Sequence, residues 1–378
     1  MIYFDNNATT AVTEPVHQAM LPFLTEHYGN PSSIHQIGNQ ARVAVEQARG
    51  RVAKAIGARP SEITFCGSGS EADNHALCGV VMRAKEEDKL NPRSNIVITA
   101  IEHPAVKKTA EWLGGFFDVQ VRTVPMQFEK GTVSLQPFED AIDADTLVVS
   151  VMMANNESGL VLPVAEIAAL AKGRGALVHC DGVQALGKLP VDVKKLGVDM
   201  FSLSAHKFHG PKGVGALFIK RGVKLTALMH GGSQESGRRA GTENPAGIVG
   251  MGVAAELAAA QDTASIAAKR DRFEAGLRER FGDRLVVNFA DLPRTPNISS
   301  VQFKGADGNL LLIMMDQNGL CASTGSACSS GSLSVSSVLL GMGLKEHAAK
   351  GTIRFSLSHL TTDAEIDAAL DAVAASLK

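Results

Sequence analysis

Residues Leu147 to Met153 read LVVSVMM: six of the seven are apolar, and three of those are valine. A run this short and this continuous, with no polar alternation, fits a β-strand buried on both faces, as in a parallel sheet covered by helices. Similar runs flank it. EITFC (Glu62–Cys66) and NIVIT (Asn95–Thr99) precede it; ALVHC (Ala176–Cys180), DMFSLS (Asp199–Ser204) and GVGALFI (Gly213–Ile219) follow. Stretches with helical periodicity, such as SEADNHALCGVVMRA from Ser70 to Ala84, fill the gaps. This alternation predicts an α/β fold with a mostly parallel central sheet and flanking helices.

Beyond this region the pattern changes. Gly231 to Asn244, GGSQESGRRAGTEN, is Gly-rich, polar and basic, too long for a simple turn, and reads as a functional loop ahead of a helix from Ala246 to Gln261. A helix from Ser265 to Phe281, strands LVVNF and SSVQF, a helix from Asn309 to Gln317 and strand TIRFSLS follow. The last helix opens with Thr362-x-x-Glu365, a capping box. This C-terminal third predicts a smaller α+β domain.

Composition limits the function classes. The 378 residues suffice for two domains at roughly 150 each. Lys plus Arg number 37 against 39 Asp plus Glu, a formal charge of −2, so there is no electrostatic case for nucleic acid. The start, MIYFDNNATT, lacks the basic flank and apolar core of an export signal. The longest apolar run, Leu310 to Met315, falls far short of the roughly 20 residues that span a bilayer. Five cysteines, an odd number with no C-x-x-C pair, fit reduced thiols. A soluble cytoplasmic protein is expected.

In open α/β sheets, ligands sit beyond the carboxyl ends of the strands. EITFC is followed by Gly67-Ser68-Gly69-Ser70-Glu71, NIVIT by Glu102-His103, LVVSVMM by Asn155-Asn156-Glu157, ALVHC by Asp181-Gly182-Val183-Gln184, and DMFSLS by Ala205-His206-Lys207. Gly67 to Ser70 open a helix whose free amides suit a phosphate; Ser70 equally fits an N-cap whose box is closed by Asp73. Asp181 follows an apolar strand and needs a cationic or hydrogen-bonding partner, such as a pyridinium nitrogen, unless it caps a helix. Lys207, just before the sharp turn Gly210-Pro211-Lys212-Gly213, becomes a Schiff-base former if desolvated and a surface lysine if not. A phosphate cradle, a carboxylate and a lysine at the ends of one sheet together describe a pyridoxal phosphate site. His206-x-x-His209 has no third ligand at metal-motif spacing, and no metal is expected.

These residues resemble the cysteine desulfurases of the NifS/IscS type, within the class V aminotransferases. The resemblance covers nearly the whole chain. It runs through YFDNNATT, GNPSSIHQIG (29–38), GSGSEADN (67–74), EHPAV (102–106), NNESG (155–159), HCDGVQALGK (179–188), SAHKFHGPKGVGAL (204–217), RRAGTEN (238–244), STGSACSSGSL (323–333) and IRFSLS (353–358). It departs at Ser70, where relatives often carry Thr, and at Ser358-His359, where Gly-Arg is common.

The resemblance implies an aspartate aminotransferase-like fold, with a large cofactor domain at 14–258 and a small domain of 1–13 and 259–378 carrying a catalytic cysteine loop. It implies that Lys207 holds pyridoxal 5′-phosphate and moves protons at the substrate's α-carbon. Asp181 would pair with the ring nitrogen, and His103, beside the ring, would serve as acid/base. Gln184 and Asn156 would bind the phenolic oxygen or position the ring. Gly69, Ser70, Ser204 and His206 would hold the phosphate, joined by Thr242 from the second subunit of a homodimer. Arg354, in an otherwise apolar strand, would clamp the substrate carboxylate with Asn30 nearby, although a structural ion pair is its other reading. Cys328 lies in the small-residue stretch Ser323 to Ser334 and reads as a thiol on a mobile arm, whereas Cys66, Cys78, Cys180 and Cys321 adjoin apolar segments and read as packing thiols. The implied activity is L-cysteine desulfuration to alanine and a persulfide on Cys328, supplying an iron–sulfur scaffold or other sulfur acceptor. A selenocysteine lyase, a small-substrate aminotransferase and a cofactor-free sulfur carrier are the alternatives.

Overall fold

The computed structural model describes residues 1–325 and 335–377. Its central sheet has seven strands: Ile63–Cys66 (β1), Asn95–Thr99 (β2), Gln120–Val124 (β3), Thr146–Met152 (β4), Leu177–Asp181 (β5), Met200–Ser204 (β6) and Gly215–Ile219 (β7). Their order is β1-β7-β6-β5-β4-β2-β3. β2 to β6 form a parallel array, whereas β7 is antiparallel to both of its neighbours, β6 and β1. The direction of β7 has a simple cause. Parallel neighbours need a crossover of a dozen or more residues, and the link from Ser204 to Gly215 carries one short helical turn rather than a crossover helix. β3, QVRTV, was not anticipated from the sequence because, as an edge strand with exposed and half-buried residues, it has no apolar run.

Both faces of the sheet are covered. Val149 and Val151 of β4 join a cluster with Val45, Ala48 and Val52 of helix α1 (Gln36–Ala55). Val148 points the other way, into a cluster with Leu77 of α2 (Gly69–Glu86) and Val106 and Leu113 of α3 (Pro104–Phe117). The alternation of neighbouring valines between two cores is the period-2 pleat of a strand buried on both sides.

A second, antiparallel sheet joins Leu285–Val287 (β8), Ile298–Phe303 (β9) and Thr352–Ser356 (β10). The chain start belongs with it: Ile2–Tyr3 pairs with Leu320–Cys321 and Asp5 bridges to Ser356. Phe4 packs edge-on against Phe273, which meets Phe355 in the same way. The last helix, Asp363–Ser376, has the anticipated capping box at Thr362 and Glu365. No helix among the described residues is long and apolar enough to cross a membrane.

Candidate active site

The ends of β4, β5 and β6, the start of α2 and the N-terminal segment enclose one cavity of ≈ 270 Å³. It lies where the strand order reverses between β2 and β4, the place at which loops diverge and leave a crevice.

Asp181 is the last residue of β5 and is 6% exposed. The next residue must be glycine, because a Cβ at Gly182 would lie 1.9 Å from the Phe201 ring. The Asp181 carboxylate accepts the Val183 N–H at 3.0 Å. Burial pushes its pKa up, while His103, that N–H and Lys207 draw it back down. Two more carboxyls are buried nearby. Burial raises Glu102 to about 8, and burial together with the charge of Asp181 holds Asp73 well above the ordinary range. Three such groups cannot all ionise together, and of the three only Asp181 has the ammonium of Lys207 among the groups that draw its pKa back down. Beneath them, His179 is clasped between Ser150 Oγ (2.8 Å) and Ser202 Oγ (2.9 Å), and its burial keeps the ring neutral, with a pKa near 3.

Lys207 ends the short turn Ala205–Lys207 that follows β6. It is half-buried, and Nζ donates to the carbonyls of Asn7 (2.8 Å) and Ala8 (2.9 Å). His206 beside it meets Thr9 Oγ1 at 3.1 Å, and burial next to Lys207 lowers its pKa to about 4. The N-cap of α2 is Ser68, which accepts the Glu71 N–H, so Ser70 sits inside the first turn instead of capping it. Gly69 lets the helix start approach closely: a Cβ there would meet Val183 Cγ2 at 2.6 Å and Ser204 Cβ at 3.2 Å. Gly69, Ser70 and Ser204 all line the cavity, under a helix N-terminus that favours an anion.

His103 stands at the start of α3. It caps α3, with Nδ1 accepting the Ala105 N–H at 3.1 Å, and it lines the cavity. The cap sets the tautomer, so a neutral ring carries its proton on Nε2. Arg354 is likewise both an ion-pair partner and a cavity residue. Only 4% exposed, it donates to Asp5 Oδ1 (2.6 Å) and to the Asn156 carbonyl (2.8 Å), while its buried Nε has no partner among the described residues. Asn156 lines the same wall.

Two residues that the sequence reading did not single out organise this wall. Asn7 Nδ2 donates to the Asn156 carbonyl, Asn7 Oδ1 accepts from Asn297, and the Asn7 carbonyl receives both Lys207 and Gln184 Nε2 (3.0 Å). Lys188 donates to Gln184 Oε1 at 2.5 Å. The signals were available, in the paired asparagines of DNN and in a lysine four residues after Gln184, but neither follows a strand end.

Two of the proposed residues are not brought to the cavity within one chain. Asn30 is exposed and its Oδ1 holds the Ser32 N–H; Thr242 is exposed and borders a separate hollow beside Phe65 and Gly67. Cys328 lies outside the described residues, while Gly325 borders the cavity. Burial raises the thiols of Cys66, Cys180 and Cys321 and takes Cys78 to about 11, so none of the four is a ready thiolate.

The donor set suits a phosphorylated aromatic aldehyde: an amine for the aldehyde, a buried carboxyl group for the ring nitrogen, and a helix start with hydroxyls for the phosphate. No cluster of three metal-binding side chains exists among the described residues.

Comparison with known proteins agrees. The chain is 45% identical to a cysteine desulfurase of Sinorhizobium fredii over 100% of its own length and 96% of the relative's. It is 43% identical to the cysteine desulfurase NifS of Azotobacter vinelandii, covering 97% and 90% of the two chains. A solved NifS-like protein superposes with a TM-score of 0.89 at 37% identity, covering 98% of both chains. The sequence profile of the aminotransferase class-V family matches residues 2–369, and the chain belongs to that family.

Proposed function

We propose that this protein is an L-cysteine desulfurase with pyridoxal phosphate as its cofactor, and that Cys328 receives the sulfur. The observation that carries this is the meeting of Lys207 and the buried Asp181 in one cavity beneath the start of α2. When bound, pyridoxal phosphate supplies a carbonyl for the amine and a ring that withdraws electrons from the substrate's α-carbon.

Each side chain then has a task. Asp181 would keep the ring nitrogen protonated; burial raises its own pKa, and His103, the Val183 N–H and Lys207 oppose that rise. Ser204, Ser70 and the amides of the first turn of α2 hold the phosphate. Lys207 Nζ, released from the carbonyls of Asn7 and Ala8, carries a proton to and from the α-carbon. His103 offers its Nε2 proton from the opposite wall. Arg354, anchored by Asp5, turns its unpartnered Nε toward the substrate carboxylate. The Cys328 thiolate attacks the substrate sulfur. An S–S bond forms as the carbon–sulfur bond breaks, the electron pair left behind takes up a proton, and alanine leaves the persulfide on the enzyme.

The protein works as a homodimer in which Asn30 and Thr242, both exposed in one chain, complete the partner's cavity. Ile34 (97% exposed) and Tyr28 (72% exposed) flank Asn30 and suit burial against a second copy. The persulfide passes to an acceptor that builds iron–sulfur clusters. The division into domains at 14–258 and at 1–13 with 259–378 belongs to the same proposal.

The test is alanine formation from cysteine, with mass spectrometry of the Cys328 peptide. Wild-type protein gains one sulfur atom there. Cys328→Ala keeps the absorbance of the bound cofactor and loses sulfur release; sulfide produced at the wild-type rate by that variant rules out the persulfide role.

A further inference from the structure

Lys188 is a buried lysine that the mechanism above does not use. It is 8% exposed and has no carboxylate partner among the described residues. It borders a neighbouring cavity of ≈ 730 Å³ and not the ≈ 270 Å³ cavity that holds Asp181. A buried ammonium without a counter-ion is costly, and this one is held down to about 7 by burial and by the charges of Lys207 and Arg354. Its hydrogen bond goes to Gln184 Oε1, at 2.5 Å.

That contact has a directional consequence. Lys188 donates to the amide oxygen of Gln184, and in its ammonium form it has three donors and no acceptor, so the oxygen must face it. At the other end, Gln184 donates Nε2–H to the Asn7 carbonyl, which can only accept. The two contacts fix the Gln184 amide in one orientation. Nε2 has two hydrogens, and Gln184 lines the cofactor cavity, so the second hydrogen remains for a group bound there. The Asn7 carbonyl also receives Lys207, which places Lys188, Gln184, Asn7 and Lys207 on one chain of hydrogen bonds.

We propose that Lys188 is a positioning residue that forces Gln184 to present an N–H, rather than its oxygen, to the cofactor, so that the site selects the ionised form of the cofactor's ring oxygen. This deepens the reading of the cavity as a pyridoxal phosphate site and rests on it.

The test is a double-mutant cycle between Lys188→Met and Gln184→Ala, read as the dissociation constant and visible absorption of added pyridoxal phosphate, with thermal melts confirming that each variant is folded. Lys188→Met is expected to weaken cofactor binding about tenfold, the loss of one charge-assisted hydrogen bond, and to move absorption toward the shorter-wavelength form with a protonated ring oxygen. In the Gln184→Ala background the same substitution is expected to add nothing. Equal effects in both backgrounds, or a Lys188→Met spectrum identical to wild type, overturn the proposal. If Lys188→Met does not accumulate as folded protein, Lys188→Leu, which also removes the donor, replaces it in the same cycle, and the same results support or overturn the proposal. A wild-type protein that takes up no pyridoxal phosphate defeats the reading of the cavity itself, which is a separate failure.

Discussion

Lys207 is the residue on which the proposed chemistry depends, and its surroundings explain why this lysine differs from the many on the surface. Its ammonium is turned inward to two backbone carbonyls, close enough to Asp181 and His103 to influence both. Lys207→Ala is therefore expected to abolish the covalent mark left when the loaded protein is reduced with borohydride, read as lost added mass on the Lys207 peptide. Alanine formation should fall by about 10²–10⁴-fold, the usual contribution of a positioned acid/base. An undiminished mark would mean that another amine holds the cofactor. Arg354 allows a second test. Lys in its place keeps the charge but cannot contact Asp5, the Asn156 carbonyl and a carboxylate together, so Arg354→Lys is expected to raise KM for cysteine by roughly tenfold or more while cofactor absorption is unchanged.

Among the elements, the start of α2 and the end of β2 set the shape and charge of the site. The helix start is close to β6 and the turn after β5 because position 69 has no side chain. In Gly69→Ala, the new methyl would press on Val183 and Ser204, and the first turn or its neighbours must shift. Cofactor affinity is expected to drop more than tenfold in an absorbance titration with the fold retained; unchanged affinity would exclude this helix start from the site. Glu102, just beyond β2, makes a pH prediction. Its folded pKa, about 8, lies above its ordinary value near 4.5, so the stability it contributes is complete below about 4.5 and is lost as pH rises through about 8. Glu102→Gln, which keeps the acceptor for Thr99 and Met152, removes that loss. The melting temperature of the variant relative to wild type should therefore climb between pH 5 and pH 9, and a constant difference would show that Glu102 is already ionised in the fold.

For the molecule as a whole, the proposed dimer rests on two exposed residues, Asn30 and Thr242, that lie away from the cavity in one chain. Asn30 and Thr242 face outward, and the loop carrying Thr242 is fastened by the buried pair of Arg49 and Glu235, at 2.7 Å. A loop held so firmly while its tip stays exposed is built to be presented to another surface. Wild-type protein is expected to sediment as a dimer. Ile34→Glu, which places a charge in the apolar patch, should shift it toward monomer and lower activity with it, because each cavity then lacks the partner's residues. A fully active monomer would show that the two exposed residues have no part in the reaction.

Much of this could be read from residue order alone, and the reason is physical. Strands buried on both faces leave long apolar runs, so β4 and its neighbours stood out, and the polar residues that end them, Asp181, His103 and Lys207, followed directly. Local rules were also enough for the capping box at Thr362 and for Cys66, Cys78 and Cys180 as packing thiols. The edge strand β3 has no such run, and the reversed direction of β7 depends on the length of a link rather than on any residue type. Asn7 and Lys188 act through contacts between segments far apart in the chain, which no spacing reveals. Arg354 needed coordinates for the same reason: its two readings differ only in what surrounds the guanidinium, and the fold places Asp5, from near the chain start, against one arm while Nε is buried with no partner among the described residues.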